Sequence, residues 1–405
     1  MNAALSKKMS VLFWSLILLC LHGAIDVFGI TPDVLEDASL SPFELLMKYG
    51  YPGETHKVTT PDNYILTAHR ILRPGAIPVL LVHGLFDTSA TWLIMGPDKG
   101  LGYMLYDAGY DVWMANCRGN TYAKEHKIYK VFEERFWDFT FHEMGIYDLP
   151  ATIDYALNNT GFSQLHYIGH SQGTLSFWIM GSERPDYMEK IILMQAMAPI
   201  AYFKNTWSPI ILFLGSTRFT SILLNDLIGS SEFLPNQRLT SMFNEQLCGA
   251  PITRTVCESW LFIMLGFDEK QLNQTMLPVI MGHAPAGAST KQIIHFGQIR
   301  SLGGMHQFDY GMLDNLRRYG SISPPKYNFK SVTAKVGLNY GQNDLMAAVK
   351  DVRLLRDELP NVIDDNLIDY RWWNHLDFIW AIDAKELLWN RMLDHMQTYD
   401  KDVKS

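Results

Sequence analysis

The spacing of apolar and polar positions changes character several times along this chain. Between 55 and 71 they alternate around a Pro-Asp-Asn turn at 61–63, which predicts a β-hairpin. Beyond it, unbroken apolar runs of strand length take turns with helix-like stretches. Strands are expected at 78–83, 110–115, 164–169 and 190–196. Helix signals fill 91–107, 148–157 and the stretch from the third of these strands to 180. Apolar runs that do not alternate belong to strands covered on both faces, hence to a parallel sheet wrapped by helices. From about 201 to 327 the rhythm stops, and Phe, Leu, Met and Pro recur at helical spacing with no convincing strand. It resumes with a strand at 334–340, a helix at 346–359 and a strand at 367–373. The pattern therefore predicts one α/β domain with a helical insertion after its sixth or seventh strand.

Composition adds few constraints. The 405 residues are 48% hydrophobic and 19% charged, ordinary globular values. A net charge of −8 argues against a nucleic-acid partner, which needs a basic surface. The amino terminus says more. Lys7 and Lys8 precede the apolar run 11–21, and the small residues Gly23, Ala24 and Gly29 follow. That order predicts a signal peptide over residues 1–29, cleaved between 23 and 29; the run is short for the ~20 residues of a membrane span. No later stretch is long and apolar enough to span, so no transmembrane anchor is expected in the mature chain.

A secretory route puts the cysteines in an oxidising compartment. Cys20 leaves with the signal, so Cys117, Cys248 and Cys257 remain. Cys248 and Cys257 lie close together around Pro251, which favours a small disulfide loop, and Cys117 closes an apolar run as a buried thiol. Two sequons, Asn158-Asn-Thr and Asn273-Gln-Thr, are candidate glycosylation sites on such a chain.

The candidate chemistry sits at Gly169-His170-Ser171-Gln172-Gly173, where an expected strand hands over to a helix. A serine between glycines at such a turn fits a nucleophile elbow, with the hydroxyl lifted clear of the sheet. A hydroxyl becomes nucleophilic only beside a base, and the base needs an acid to orient it. Of the later histidines, His283, His295 and His306 fall in the insertion and His395 in a terminal helix. His375 is left in a short loop expected directly after a strand. The same test picks Asp344, between a strand and a helix, with Asp377 and Asp364 as alternatives and an ordinary helix cap as the plainer role. An oxyanion hole needs two backbone N–H groups, expected from Gln172 and from Leu85 in the loop Val82-His-Gly-Leu-Phe86. His83, before a glycine at a strand end, suits a packed, orienting role.

These stretches resemble the acid lipase family, which includes gastric lipase and lysosomal acid lipase. The resemblance spans roughly 31–398. It is carried by Tyr49-Gly-Tyr-Pro-Gly-Glu with Asp62-Asn-Tyr-Ile-Leu, by His83-Gly-Leu and by Asn116-Cys-Arg-Gly-Asn-Thr-Tyr. Gly169-His-Ser-Gln-Gly-Thr, Glu232-Phe-Leu-Pro, His283-Ala-Pro-Ala-Gly and His375-Leu-Asp-Phe-Ile-Trp follow in order. It implies an α/β-hydrolase fold, the triad Ser171, Asp344 and His375, and oxyanion donors on Leu85 and Gln172. It also implies a cap disulfide between Cys248 and Cys257. Residues 201–328 become a helical cap and lid between two parts of the core, 30–200 and 329–405. Cys117 departs from the family pattern, in which serine stands there.

The resemblance implies a secreted or lysosomal lipase that hydrolyses esters of long-chain lipids, such as triacylglycerols, at a lipid–water interface, with no metal or cofactor. Trp207, Phe213, Phe219, Leu223, Leu224 and Ile228 would supply the apolar cap surface, touching lipid transiently. Two rivals are a sterol esterase preferring cholesteryl-type esters, and a lipid-binding protein that keeps the fold without turnover. An organophosphonate probe separates the last, since only an activated serine is labelled.

Overall fold

The computed structural model describes residues 32–217, 222, 229–234, 266 and 268–402. The expected signal peptide, Cys248, Cys257, Phe219, Leu223, Leu224 and Ile228 lie outside the described residues.

Eight strands build the central sheet: β1 Gly53–Thr59, β2 Tyr64–Ile71, β3 Pro78–Val82, β4 Asp111–Met114, β5 Leu165–His170, β6 Ile191–Met197, β7 Val336–Tyr340 and β8 Val362–Leu367. They lie in the order β1-β2-β4-β3-β5-β6-β7-β8, and a two-residue strand at Glu125–His126 pairs with β2. β1 and β2 form the antiparallel hairpin that their alternation predicts, and β2 meets β4 antiparallel. From β4 to β8 every pairing is parallel. Every residue of β3, β5, β6 and β7 is buried, as their unbroken apolar runs require. Fully burying each Val, Leu or Ile there contributes roughly 1.5–3 kcal/mol.

The helices used below are α1 Leu101–Asp107, α2 Leu149–Thr160, α3 Gln172–Glu183, α4 Pro209–Leu214, α5 Leu277–His283, α6 Thr290–Leu302, α7 Met312–Tyr319, α8 Val349–Glu358 and α9 Asn390–Tyr399. α4 to α7 occupy the insertion, which leaves the sheet after β6, the sixth strand. α6 is buried around its whole circumference from Thr290 to Ile299 and packs on α4, so it belongs to the body of the molecule. The insertion also pairs Glu232–Phe233 with Ala288–Ser289, a small ladder that the sequence pattern does not reveal.

Besides small shifts, such as the helix expected at 346–359 that runs over Val349–Glu358, two boundaries differ from the sequence reading. The helix signals at 91–107 resolve into a short 3-10 turn, Ser89–Trp92, and α1, because Gly96 adopts a left-handed φ of 79° and Pro97 follows. The last strand runs over 362–367, earlier than the apolar stretch 367–373 suggests. β8 is an edge strand whose residues are mostly half-buried, so Val-Ile-Asp-Asp-Asn-Leu can be polar. Of the apolar residues after it, Ile368 and Trp373 turn inward and are buried in the core, while Trp372 stays exposed.

Candidate active site

The turn from β5 into α3 explains both glycines around Ser171. A Cβ at Gly173 would stand 2.3 Å from the Val82 carbonyl oxygen, and one at Gly169 would stand 2.9 Å from the Gly173 carbonyl carbon. No larger side chain fits either place. Ser171 is held at φ 52° and ψ −116°, a conformation that costs a non-glycine residue about 1–3 kcal/mol. Its N–H donates to the Met197 carbonyl at 3.0 Å, and this bond from the end of β6 helps fix the strained turn.

The hydroxyl of Ser171 lies 2.8 Å from His375 Nε2, across 204 residues of sequence. His375 Nδ1 lies 2.8 Å from Asp344 Oδ2 and 3.0 Å from Oδ1. With an ionised carboxylate on one side, the network assigns the proton to Nδ1 and leaves Nε2 to accept from Ser171. Asp344 Oδ1 also accepts the N–H groups of Met346 and Ala347, each at 2.8 Å. The carboxylate is thus both the cap of its turn and the partner of the imidazole, two roles that the sequence set against each other. All three side chains are buried.

The alternatives are engaged elsewhere. Asp364 pairs with Arg391 at 2.5 Å and faces His395. Asp377 Oδ2 accepts from the N–H of Asn374 at 2.6 Å. His283 meets the Asp37 carbonyl, and His295 meets that of His306. His375 lies eight positions beyond β8 rather than directly after it, a consequence of the shifted strand.

Leu85 and Gln172 both line one small cavity of about 10 Å³, the size of a single water, together with Phe86, Asp87 and Gln292. Among the described residues, neither the Leu85 nor the Gln172 N–H has an acceptor. The loop holding Leu85 is braced from behind. His83 Nδ1 bonds the Gly84 carbonyl at 2.7 Å, and His83 Nε2 accepts from Cys117 N–H and from the Asn120 amide. Burial takes the His83 pKa down to about 4, so the ring is neutral and suits that pattern. Asn120 Nδ2 also reaches the Asp87 carbonyl, and Asn116 Oδ1 accepts from Ser89 N–H. The motif Asn116-Cys-Arg-Gly-Asn120 therefore serves as scaffold for the loop. Its Arg118 is buried in ion pairs with Asp62 and Asp148.

The insertion covers this loop. Ala286 N–H bonds the Phe86 carbonyl at 2.7 Å, and the Phe233 ring lies 5.8 Å from that of Phe86. Of the expected lipid-facing side chains, Trp207 and Phe213 are described, and they are 75% and 67% exposed. The sequon residue Asn158 is exposed near the end of α2. Asn273 is half-buried and its Oδ1 accepts from both the N–H and the hydroxyl of Thr275. Cys117 is a buried free thiol.

Two contacts near the triad escape a sequence reading. His170 Nε2 lies 2.9 Å from the His375 carbonyl oxygen. Burial, reinforced by His375, takes its pKa to about 3, so a neutral ring donates that bond. Gln292 on α6 donates to Gln172 Oε1 at 3.0 Å. His170 sits inside the elbow motif, where a signal existed; Gln292 is 120 positions from its partner, and nothing local marks it.

Comparison with known proteins shows the family of the chain. A family described as the alpha/beta hydrolase fold matches residues 77–245, and a partial alpha/beta-hydrolase lipase region matches 43–96. The chain is 44% identical to Lipase 1 of Drosophila melanogaster over 366 residues, 89% of this chain and 80% of that one. It is 36% identical to gastric triacylglycerol lipase of Mus musculus, covering 92% of this chain and 96% of that one. It is also 36% identical to lysosomal acid lipase/cholesteryl ester hydrolase of Rattus norvegicus, covering 90% and 92%.

Proposed function

The chain belongs to the acid lipase family of α/β hydrolases, the family of the gastric and lysosomal acid lipases, and from that premise we propose that Ser171, His375 and Asp344 carry its ester hydrolysis. The protein is a lipase. The observation that carries the residue assignment is the unbroken chain of hydrogen bonds from Ser171 Oγ through the imidazole to the Asp344 carboxylate.

Ser171 Oγ attacks the ester carbonyl while His375 Nε2 takes its proton. The carbonyl oxygen becomes an oxyanion, held by the N–H groups of Leu85 and Gln172, at the start of α3 where the helix dipole adds to the attraction. Collapse of the tetrahedral intermediate breaks the C–O bond, and His375 gives its proton to the departing alcohol. Water then attacks the acyl-enzyme with His375 again as base, and the fatty acid leaves with Ser171 restored. Asp344 keeps the imidazole oriented and stabilises its charged form.

The substrates are esters of long-chain fatty acids, triacylglycerols first. The lysosomal relative is named as a cholesteryl ester hydrolase too, which makes cholesteryl esters the second class to assay. Residues 201–328 are read as cap and lid, with Trp207 and Phe213 among the side chains that meet lipid. A disulfide joins Cys248 and Cys257, and Asn158 and Asn273 carry glycans on a chain that enters the secretory pathway for secretion or the lysosome.

The test is a fluorophosphonate ester probe with a substrate panel of triglycerides and cholesteryl oleate. The wild-type chain should be labelled once, on Ser171, and Ser171→Ala should abolish both labelling and turnover. Retention of more than about 1% of activity in a clean Ser171→Ala preparation would sink the assignment.

A further inference from the structure

Behind His375 lies a second pair of acidic side chains that the reaction above does not use. Asp377 is buried two residues beyond the imidazole, and Asp268 is buried within the insertion. The two carboxyls lie next to each other, and Asp268 Oδ2 is buried without a hydrogen-bond partner among the described residues. We propose that Asp268 and Asp377 share one proton and that this pair positions His375, clasping its loop to the insertion only while the proton is present. The inference rests on the catalytic role assigned to His375.

The clasp has three strands of support. Asp377 Oδ2 accepts from Asn374 N–H at 2.6 Å, and Asn374 Oδ1 returns bonds to the N–H groups of Leu376 and Asp377, at 2.7 and 3.1 Å. These bonds wrap the backbone around His375. Asn374 Nδ2 reaches across to the Gly266 carbonyl at 3.1 Å. Gly266 sits so close to both catalytic loops that a Cβ there would meet the Asn343 carbonyl oxygen at 2.2 Å and the Asn374 side chain at 2.8 Å. Further along, Gln271 bonds Ile382 N–H, Asp383 N–H and the Asp383 carboxylate. Gly266 and Gln271 thus touch the stretches around Asn343, Asn374 and Asp383.

The chemistry of the pair follows from its surroundings. Asp268 Oδ1 accepts from Lys270 N–H, Gln271 N–H and the Tyr370 hydroxyl. Asp268 Oδ2 is buried with no such donor among the described residues. A proton on Asp377 supplies it. The ionisable groups facing the pair are Tyr370, which donates, and Asp344, which carries negative charge; Asp383 is tied up with Gln271, and Lys270 and Glu269 are exposed. Neither carboxyl has an ion pair with a described cation, so nothing nearby offsets a second negative charge.

Burial, and after it the neighbouring carboxylates, raises Asp377 well above the usual carboxylate range, and burial raises Asp268 as well. A carboxyl whose folded value lies above its unfolded value binds its proton more tightly in the folded state. Its contribution is therefore complete below the ordinary carboxylate range and is lost as pH climbs through the raised folded value. Loss of the proton leaves two buried negative charges in contact, and the loop bearing His375 is what they push on. The pair is thus expected to set an upper pH limit on the working geometry.

Asparagine tests this, because its amide replaces the shared proton with a permanent donor. Asp377→Asn and Asp268→Asn should each keep kcat on a soluble ester within about threefold of wild type in acid, and both should carry activity and thermal midpoint to higher pH. Asp377→Leu, which removes both bonds, should lower kcat at every pH. Beside the infrared carbonyl band of buried Asp87, the wild type should show a second carboxylic-acid band that disappears as pH rises, isolated in the spectrum of wild type minus either Asn variant. Asn variants whose kcat and thermal profiles superimpose on wild type would overturn the proposal. So would difference spectra in which the Asp268 and Asp377 variants, whichever of the two folds, remove no carboxylic-acid band. An inactive wild type would count against the lipase reading, while the band and the thermal curves would still decide the pair.

Discussion

Gln292 donates its side-chain amide to Gln172 Oε1 at 3.0 Å, joining the buried helix of the insertion to the first residue of the nucleophile helix. The same Gln292 closes the capping box of α6, its Oε1 accepting from Ser289 N–H at 2.8 Å. It therefore has little freedom to move, and it passes that rigidity to Gln172. The backbone N–H of Gln172 is the proposed oxyanion donor, so its direction matters more than its presence.

Gln292→Leu should cut kcat on a soluble ester by roughly tenfold with KM little changed, because an amide aimed slightly wrong loses transition-state contact first. Leaving Gln172 Oε1 buried and unpaired should also cost about 1–3 kcal/mol of stability. Steady-state kinetics with a thermal melt check both. A variant that loses stability while keeping kcat would reduce the contact to a structural one.

Asp87 provides a pH prediction beside the same loop. Burial pushes its carboxyl up to about 7, against which hydrogen bonds from Thr88 N–H and the Thr91 hydroxyl work only in part. The folded value lies above the unfolded one, so stability from this group is complete below pH ~4 and falls as pH rises towards 7. Asp87→Asn should flatten that fall. Its melting temperature should differ little from wild type in acid and exceed it at pH 8; a constant difference across the range would remove Asp87 as the cause.

The candidate site is more legible than the elements around it, for physical reasons. Ser171 announces itself because its two flanking glycines are dictated by contacts of 2.3 and 2.9 Å, and sterics of that kind leave a local signature. His375 and Asp344, which the structure joins to Ser171 by hydrogen bonds, are the candidates that elimination leaves, since the alternatives sit in elements with other uses. The strand before His375 was misplaced because a half-exposed edge strand is polar while the turn after it fills the core. Gln292 and Asp268 were invisible. Each acts on a residue more than a hundred positions away, and a buried Gln or Asp in an unaligned sequence reads as surface. The interior helix α6 misleads in the same way, because Lys291, Gln292, His295 and Gln298 are all buried on it.

The thiol of Cys117 should not react with a maleimide in the folded chain. It is buried behind the loop that carries Leu85, and burial pushes its pKa up, so thiolate is scarce. Non-reducing peptide mapping should find Cys117 free and Cys248 joined to Cys257. A crosslink containing Cys117 would require a different organisation of the cap.

The surface by which the enzyme meets lipid can be tested apart from its chemistry. Backbone bonds from Trp207 and Ser208 to the Leu345 carbonyl, at 3.0 and 3.1 Å, pin this segment next to Asp344. The indole of Trp207 and the ring of Phe213 nevertheless stay largely in solvent, an arrangement that water penalises unless an apolar phase is met. Trp207→Asp with Phe213→Asp should therefore sharply reduce hydrolysis of emulsified triglyceride, since placing a charge in an apolar phase costs several kcal/mol. A short soluble ester should be hydrolysed within a few-fold of the wild-type rate, because Ser171, His375 and Asp344 stand in the loops that follow β5, β8 and β7 and keep their bonds. Equal losses on both substrates would mean that the two rings support the Asp344 loop, and the lipid-facing surface would then have to lie elsewhere on the insertion.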